Sequence, residues 1–466
     1  MHISIRALGV AAAGVVWSAL AMVCLAQATG PSQAAQPAQP ADGASAPDSG
    51  PLFGSRITNG KLPYDTEYPA LGYKRTATHN AIARLQAKLD SGAVKLQFRP
   101  GRGYLESMLA ALGIDASSQS LVYSKTSQQV GLIQARTPRA IYFNDDTYVG
   151  WVQGSDQMEI GTLDSELGQV FYTFRNSQGA PNNFQRENAT CLACHDTYSL
   201  SGGGVPRFLL MSSYVNTLGD QLTHEGSILM TDQTQMRYRW GGWYVTGQHG
   251  SQLHLGNIQV HDAQQLVHLD QVRHGNIDTL EGLFDTKPYL TDKSDIVALI
   301  VLLHQVTVQE FITRVNFDVR QVLSTSPKPE GKDARVLTAD MDDLLNAMLF
   351  VDAAGYSGKI TGNSGFTKWF EARGIRDPKG RSLRDLDLDT RLLKYPLSYL
   401  IYSDAFDALP VYAHDYIYGR LFDVLSGKDQ NKPYAHLSAA DRKAVLEILQ
   451  ATKPAFAKVA AAKAHH

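Results

Sequence analysis

An α+β fold is predicted, with a β-rich N-terminal half and a mainly helical C-terminal half. Between Ser120 and Arg175 apolar and aromatic residues alternate in short runs separated by polar turns, which is the period of strands. Beyond about Tyr289 the period changes, and Ile296, Val297, Ile300, Val301, Val308 and Phe311 fall on one wide helical face. The 466 residues are 44% hydrophobic with a net charge of -2. That supplies sizeable cores and argues against nucleic acid or an anionic membrane surface as a partner.

Residues 1–28 have a short basic start (His2, Arg6), an apolar run from Leu8 to Leu25, and Ala26-Gln27-Ala28 as a small-x-small cleavage site. They read as a secretory signal peptide. Cys24 would suit a lipoprotein anchor, but Ala21-Met22-Val23 before it is a poor match to that signal. Cleavage after Ala28 removes Cys24 and places the mature chain in the periplasm or outside the cell. Residues 29–50 are mostly Ala, Pro, Gln, Ser and Gly, a disordered linker that cannot bury enough apolar surface to offset its ordering entropy. A mixed α/β region is expected over residues 51–285 and a helical region over 286–466.

Ala77 to Asp90 has helical spacing, and Tyr104 to Leu112 reads as a second helix stopped by Gly113. Arg139–Phe143, the turn Asn144-Asp145-Asp146 and Tyr148–Val152 read as a hairpin, and Gln169–Arg175 as a further strand. The acidic turn has too few oxygens for calcium and is expected to be a solvated turn. Arg239 to Gly247 (RWGGWYVTG) reads as a strand emptying into a glycine-bounded loop with His249 and His254. A long helix is expected from Lys293 to Leu323, capped by Thr291-Asp292 and broken by Ser324 to Gly331. Further helices are expected at Asp340–Val351, Tyr399–Phe406 and Asp415–Leu425, and a last one with Ser438 as N-cap and Asp441 three residues on. After the leader no apolar run approaches the roughly 20 residues of a membrane span.

A polar loop from Asn176 to Ala189 delivers Cys191-Leu192-Ala193-Cys194-His195. Two thiols three positions apart can each add across one vinyl group of a single porphyrin, with the adjacent imidazole beneath the iron. A zinc half-site would need more soft ligands, and Cys24 is the one other cysteine in the chain. A redox dithiol would need neither His195 nor its position. Haem c is therefore the expected cofactor, with Cys191 and Cys194 as attachment points and His195 as proximal iron ligand. Gly202-Gly203-Gly204 and Val205-Pro206-Arg207 would let backbone run close to a flat porphyrin edge, or form a plain flexible loop.

This motif resembles the c-type cytochrome signature, and its Gly-rich, Pro-containing continuation resembles the segment after the haem in small cytochromes c. The larger chain is similar to long, exported, single-haem bacterial proteins known as cytochrome c domain-containing proteins. The resemblance rests on PRAIYFND (Pro138 to Asp145), CLACH, RWGGWYVTG, the HxxxxHxGN run from His249 to Asn257, and RSLRDLDL (Arg381 to Leu388). It implies a cytochrome c-like haem segment and redox chemistry, and no substrate. In many small cytochromes a methionine well downstream completes the iron's coordination. No methionine lies between Met236 and Met341 here, whereas His224, His249, His254, His261, His268 and His274 crowd that window.

His249 and His254 are the candidates for a sixth ligand, with an open or water-bound position, a methionine or one of the other histidines as alternatives. Trp240, Trp243 and Tyr244 suit either core or a haem pocket. His304, beside Ile300, Val301 and Val308, reads as a core histidine. Arg381, Arg384, Asp385 and Asp387 read as a salt-bridged surface. The expected function is periplasmic electron transfer through a covalent haem, with an unidentified redox partner or small-molecule substrate. The alternative is a peroxidase- or oxygenase-like oxidoreductase with an open or weakly capped iron.

Overall fold

Short polar turns join the alternating runs, so the strands fold as an antiparallel meander in sequence order. The order is β1 Ser120–Val122, β2 Arg139–Phe143, β3 Thr147–Trp151, β4 Gln157–Asp164, β5 Gly168–Arg175 and β6 Phe184–Arg186. The computed structural model describes residues 68–196, 204–261 and 275–464. The leader with Cys24, the linker, Gly202, Gly203, His268 and His274 lie outside the described residues.

Register decides what each sheet face carries. Tyr148 pairs with Gly161, and Gly161 with Phe171. The period of two then places Ile141, Phe143, Tyr148, Glu159, Gly161 and Phe171 on one face. The other face, with Tyr142, Val149, Trp151 and Met158, packs on α1 (Ala81–Asp90) and α2 (Leu105–Leu112). α1 begins four residues later than its apolar spacing suggests, because the Asn80 side chain accepts from the Ala83 N–H at 3.0 Å. Gly113, at φ 66°, closes α2 as expected. α3 is the single turn Leu192–His195, and β7 (Met211–Ser213) pairs with β8 (Ser227–Leu229).

The first sheet face is covered by α4, Ile296–Thr325. Its cap differs from expectation. Asp295, buried completely, accepts from the Val297 and Ala298 N–H groups, while Asp292 binds Thr279 and Lys293 instead. Among the described residues α4 is the one helix long and apolar enough to cross a membrane. Its most apolar stretch is wholly buried within this chain. A polar stripe along it caps the sheet's turns: Gln305 donates to the Asn144 carbonyl, Gln309 to that of Asp145, and Asn316 to that of Glu166. Ile141, Phe143 and Tyr148 share one core with α4 and the C-terminal helices, so packing runs across the expected boundary at 285/286.

Several sequence expectations are corrected. Arg239–Gly247 forms no ladder strand, because Trp240 and Gly242 adopt left-handed φ of 67° and 85°. It makes isolated bridges, Trp243 to Val122 and Thr246 to Asp295. Gly331 starts α5 (Gly331–Met348) instead of ending a break, so this helix begins nine residues before Asp340. Tyr399–Phe406 splits into a 3-10 turn, Tyr399–Tyr402, and α7, Asp404–Asp407, at the Ser403 cap. α6 (Phe366–Ala372) and α10 (Pro454–Ala464) were not anticipated, and α8 spans Val411–Leu425. α9 (Ala439–Thr452) carries the expected Ser438/Asp441 capping box.

The acidic turn is partly solvated, and it is also ion-paired. Asp145 pairs with Arg384 at 2.6 Å and Arg373 at 2.9 Å. Burial raises its carboxyl pKa, and the two guanidiniums outweigh that, leaving it below the usual carboxylate range. Arg384 is accordingly no surface residue; it is buried against the Phe370 and Tyr399 rings. Arg381 and Asp385 do form ion pairs, with Asp377 and Glu447 and with Arg376. Asp387 caps backbone N–H groups of Asp389 and Thr390.

Candidate haem attachment site

The loop after β6 brings the motif back onto the first sheet face, where His195 meets Phe171. There α3 carries Cys194, and Cys191 is the residue just before its first turn. Neither is in a disulfide, Cys191 is half-buried and Cys194 exposed. The Gln128 amide lies 3.7 Å from the Cys191 sulfur. Burial, then the carboxylates of Glu187 and Glu159 and the neighbouring Cys194, push the Cys191 thiol up to about 12. A redox dithiol needs the opposite, since its attacking cysteine is a thiolate near neutrality. Among the described residues no group of three or more His, Cys, Asp or Glu could hold a metal ion, so a four-ligand zinc site has no support there.

His195 is held as a neutral imidazole. Its Nδ1 lies 2.9 Å from the Arg207 carbonyl, and a carbonyl only accepts, so Nδ1 carries the proton and Nε2 the lone pair. The residue is half-buried. Burial pushes its pKa down to about 4, against a smaller upward pull from the Arg207 carbonyl. The Phe171 ring sits 4.5 Å away and that of Phe208 6.1 Å, and Phe208 in turn stacks on Tyr148 at 4.4 Å. An imidazole with one nitrogen fixed by a backbone carbonyl is how proteins orient a metal-ligating histidine.

The depressed pKa has a measurable consequence in the haem-free chain. His195 binds its proton more weakly folded than unfolded, where the ordinary value is 6.5. Its contribution to stability is therefore complete above pH 6.5 and is lost as pH falls towards 4. Denaturant midpoints taken from pH 7 to pH 4.5 are expected to fall, and His195→Gln to flatten part of that slope.

Arg207 is the residue that sequence reasoning missed as a functional group. Its side chain is 2% exposed and ion-paired with Glu310 of α4, which also binds Arg314 at 2.9 Å. Proximity to the motif in sequence was a weak signal for it. Nothing local pointed to Glu310.

The structure brings His249 and His254 together, rings 4.6 Å apart, both buried, with Trp240 5.5 Å from His254. The segment that carries them is tied to the start of α4 by the Ile296 N–H bond to the Thr246 carbonyl, and Arg207 beside the motif is tied to Glu310, fourteen positions along the same helix. The hydrogen bonds also differ, since His249 Nδ1 faces the Gln252 carbonyl while His254 Nδ1 accepts from the Gly256 N–H. Trp240, Trp243 and Tyr244 lie in the core. His304 is a core histidine as expected, with Nδ1 on Asp232 at 2.7 Å, Nε2 on Ser398 at 2.8 Å and its ring stacked on Phe350.

No protein-family model, curated protein or solved structure matches the chain.

Proposed function

We propose that this chain is a periplasmic c-type haem protein that transfers electrons through one haem bound covalently at Cys191 and Cys194. The reading is carried by His195, whose Nδ1 proton faces the Arg207 carbonyl and whose Nε2 keeps its lone pair, one residue after Cys194 and four after Cys191, neither of them in a disulfide. Bound haem c supplies a one-electron iron couple. His195 would hold the iron from below, and the Phe171 and Phe208 rings would restrict water beside that imidazole. A redox protein or a small molecule would complete the transfer.

The second reading leaves the sixth position of the iron without His249 or His254. An iron without a sixth protein ligand would be open, as in a peroxidase- or oxygenase-like oxidoreductase. Visible spectra of the haem-loaded mature chain, with and without carbon monoxide, decide between the two. Low-spin bands indifferent to carbon monoxide support electron transfer, and a reduced form that binds it supports the oxidoreductase. A chain matured with the haem attachment machinery that carries no haem overturns both.

A further inference from the structure

Arg207 has more donors than the protein satisfies. Its guanidinium is almost completely enclosed, and Glu310 takes one side of it. Nε and Nη2 are buried without a hydrogen-bond partner. A buried guanidinium with idle N–H groups is costly unless an acceptor belongs there. Its backbone carbonyl is the one that fixes His195, so the side chain starts beside the motif. Gln169 repeats the pattern, with Nε2 buried and unpartnered. That amide and Phe208 meet at Gly161, where a β-carbon would come within 2.9 Å of Gln169 Nε2 and 3.4 Å of the Phe208 ring. The Gln169 amide is thus an idle donor on the sheet face that His195 meets through Phe171, as the Arg207 guanidinium is one beside the motif.

We propose that Arg207, assisted by the Gln169 amide, binds a carboxylate of the group attached at Cys191 and Cys194, namely a propionate of haem c. This rests on the haem reading above. Two guanidinium N–H groups can meet two carboxylate oxygens in a fork, the strongest common pairing for that anion. Glu310, itself held by Arg314, pairs with the guanidinium from behind. A propionate so held stays ionised across the neutral range, and its charge is offset where the iron changes oxidation state.

The test uses the haem-loaded mature chain. Covalent haem is first counted by pyridine haemochrome in wild type, Arg207→Gln, Arg207→Lys and Gln169→Leu. Reduction potential is then followed from pH 5 to pH 8. Wild type is expected to be nearly flat over that range. Arg207→Gln is expected to show a new pH-dependent step and, at the wild-type midpoint and pH 7, about a tenfold shift towards the oxidised form. Arg207→Lys keeps the charge and should restore most of the wild-type ratio, and Gln169→Leu should give a smaller shift of the same sign.

Wild type without covalent haem would overturn the functional reading and this inference with it. Haem present at full occupancy, with potentials in Arg207→Gln and Gln169→Leu that follow wild type at every pH, would overturn this inference alone. A wild-type potential that responds to millimolar acetate, with the response abolished in Arg207→Gln, would assign the arginine to an external carboxylate instead. If Arg207→Gln does not fold, Arg207→Lys and Gln169→Leu still decide the matter.

Discussion

Serine at both Cys191 and Cys194 is expected to give a folded chain from which haem is removed completely by acid extraction and by denaturing electrophoresis. The wild-type haem should survive both treatments, because two thioether bonds would have to break. The sulfurs contribute little to packing, with Cys194 exposed and Cys191 only half-buried. Exchanging them should therefore cost the haem-free chain no more than about 1 kcal/mol. Circular dichroism and the urea midpoint of haem-free wild type and double variant should coincide. Each single variant should keep haem on one thioether, with its pyridine haemochrome band shifted towards longer wavelength by the vinyl group left unreacted. Covalent haem persisting in the double variant would place the attachment elsewhere and remove Cys191 and Cys194 from the site.

Asp295→Ala is expected to be the most destabilising single change, at about 4 kcal/mol, from the loss of a helix cap and the stranding of several buried N–H groups. One carboxylate oxygen accepts from the Val297 and Ala298 N–H groups at the head of α4. The other takes the Asn363 and Ser364 N–H groups and the Ser364 hydroxyl. Asp295 is completely buried, so no water replaces it. Asp295→Asn should lose nearly as much, since one oxygen becomes an N–H₂ group facing other donors. Thr291→Ala and Asp292→Ala, at the partly exposed positions that look like caps in the sequence, should each stay within about 1 kcal/mol. Urea denaturation of the four variants checks the ranking, and an Asp295→Ala midpoint equal to that of Asp292→Ala would refute it.

Local signals carried the sheet and the motif, and long-range contacts decided the remainder. The hairpin at Asn144 to Asp146 and the capping box at Ser438 were legible because their partners lie within a few residues. The cap of α4 was misread because Thr291, Asp292 and Asp295 are all suitable residue types. The choice went to the one that also holds Asn363 and Ser364, which no local window contains. Asp145 looked like a surface turn for the same reason, its partners Arg373 and Arg384 arriving from the helical half. Arg239–Gly247 has the composition of a strand, but left-handed backbone at Trp240 and Gly242 breaks the alternation. At the site, Cys191, Cys194 and His195 were readable as a contiguous signature. The Arg207 carbonyl and Glu310 were not. The density of histidines after Gly247 suggested a ligand, and the fold brings two of them, His249 and His254, into ring contact with each other.

The seat of α4 against the sheet also sets an order of events. A chain exported N-terminus first presents the two thiols outside the membrane before the residues of α4 have crossed. Through that interval Arg207 has no Glu310 to pair with and the sheet face no helix over it. An attachment enzyme would meet a short, open peptide then, and a motif seated on a folded sheet afterwards. Slowing translocation between Arg207 and Ile296 should lengthen the time in which haem can be added to the open peptide, with no change to the finished protein.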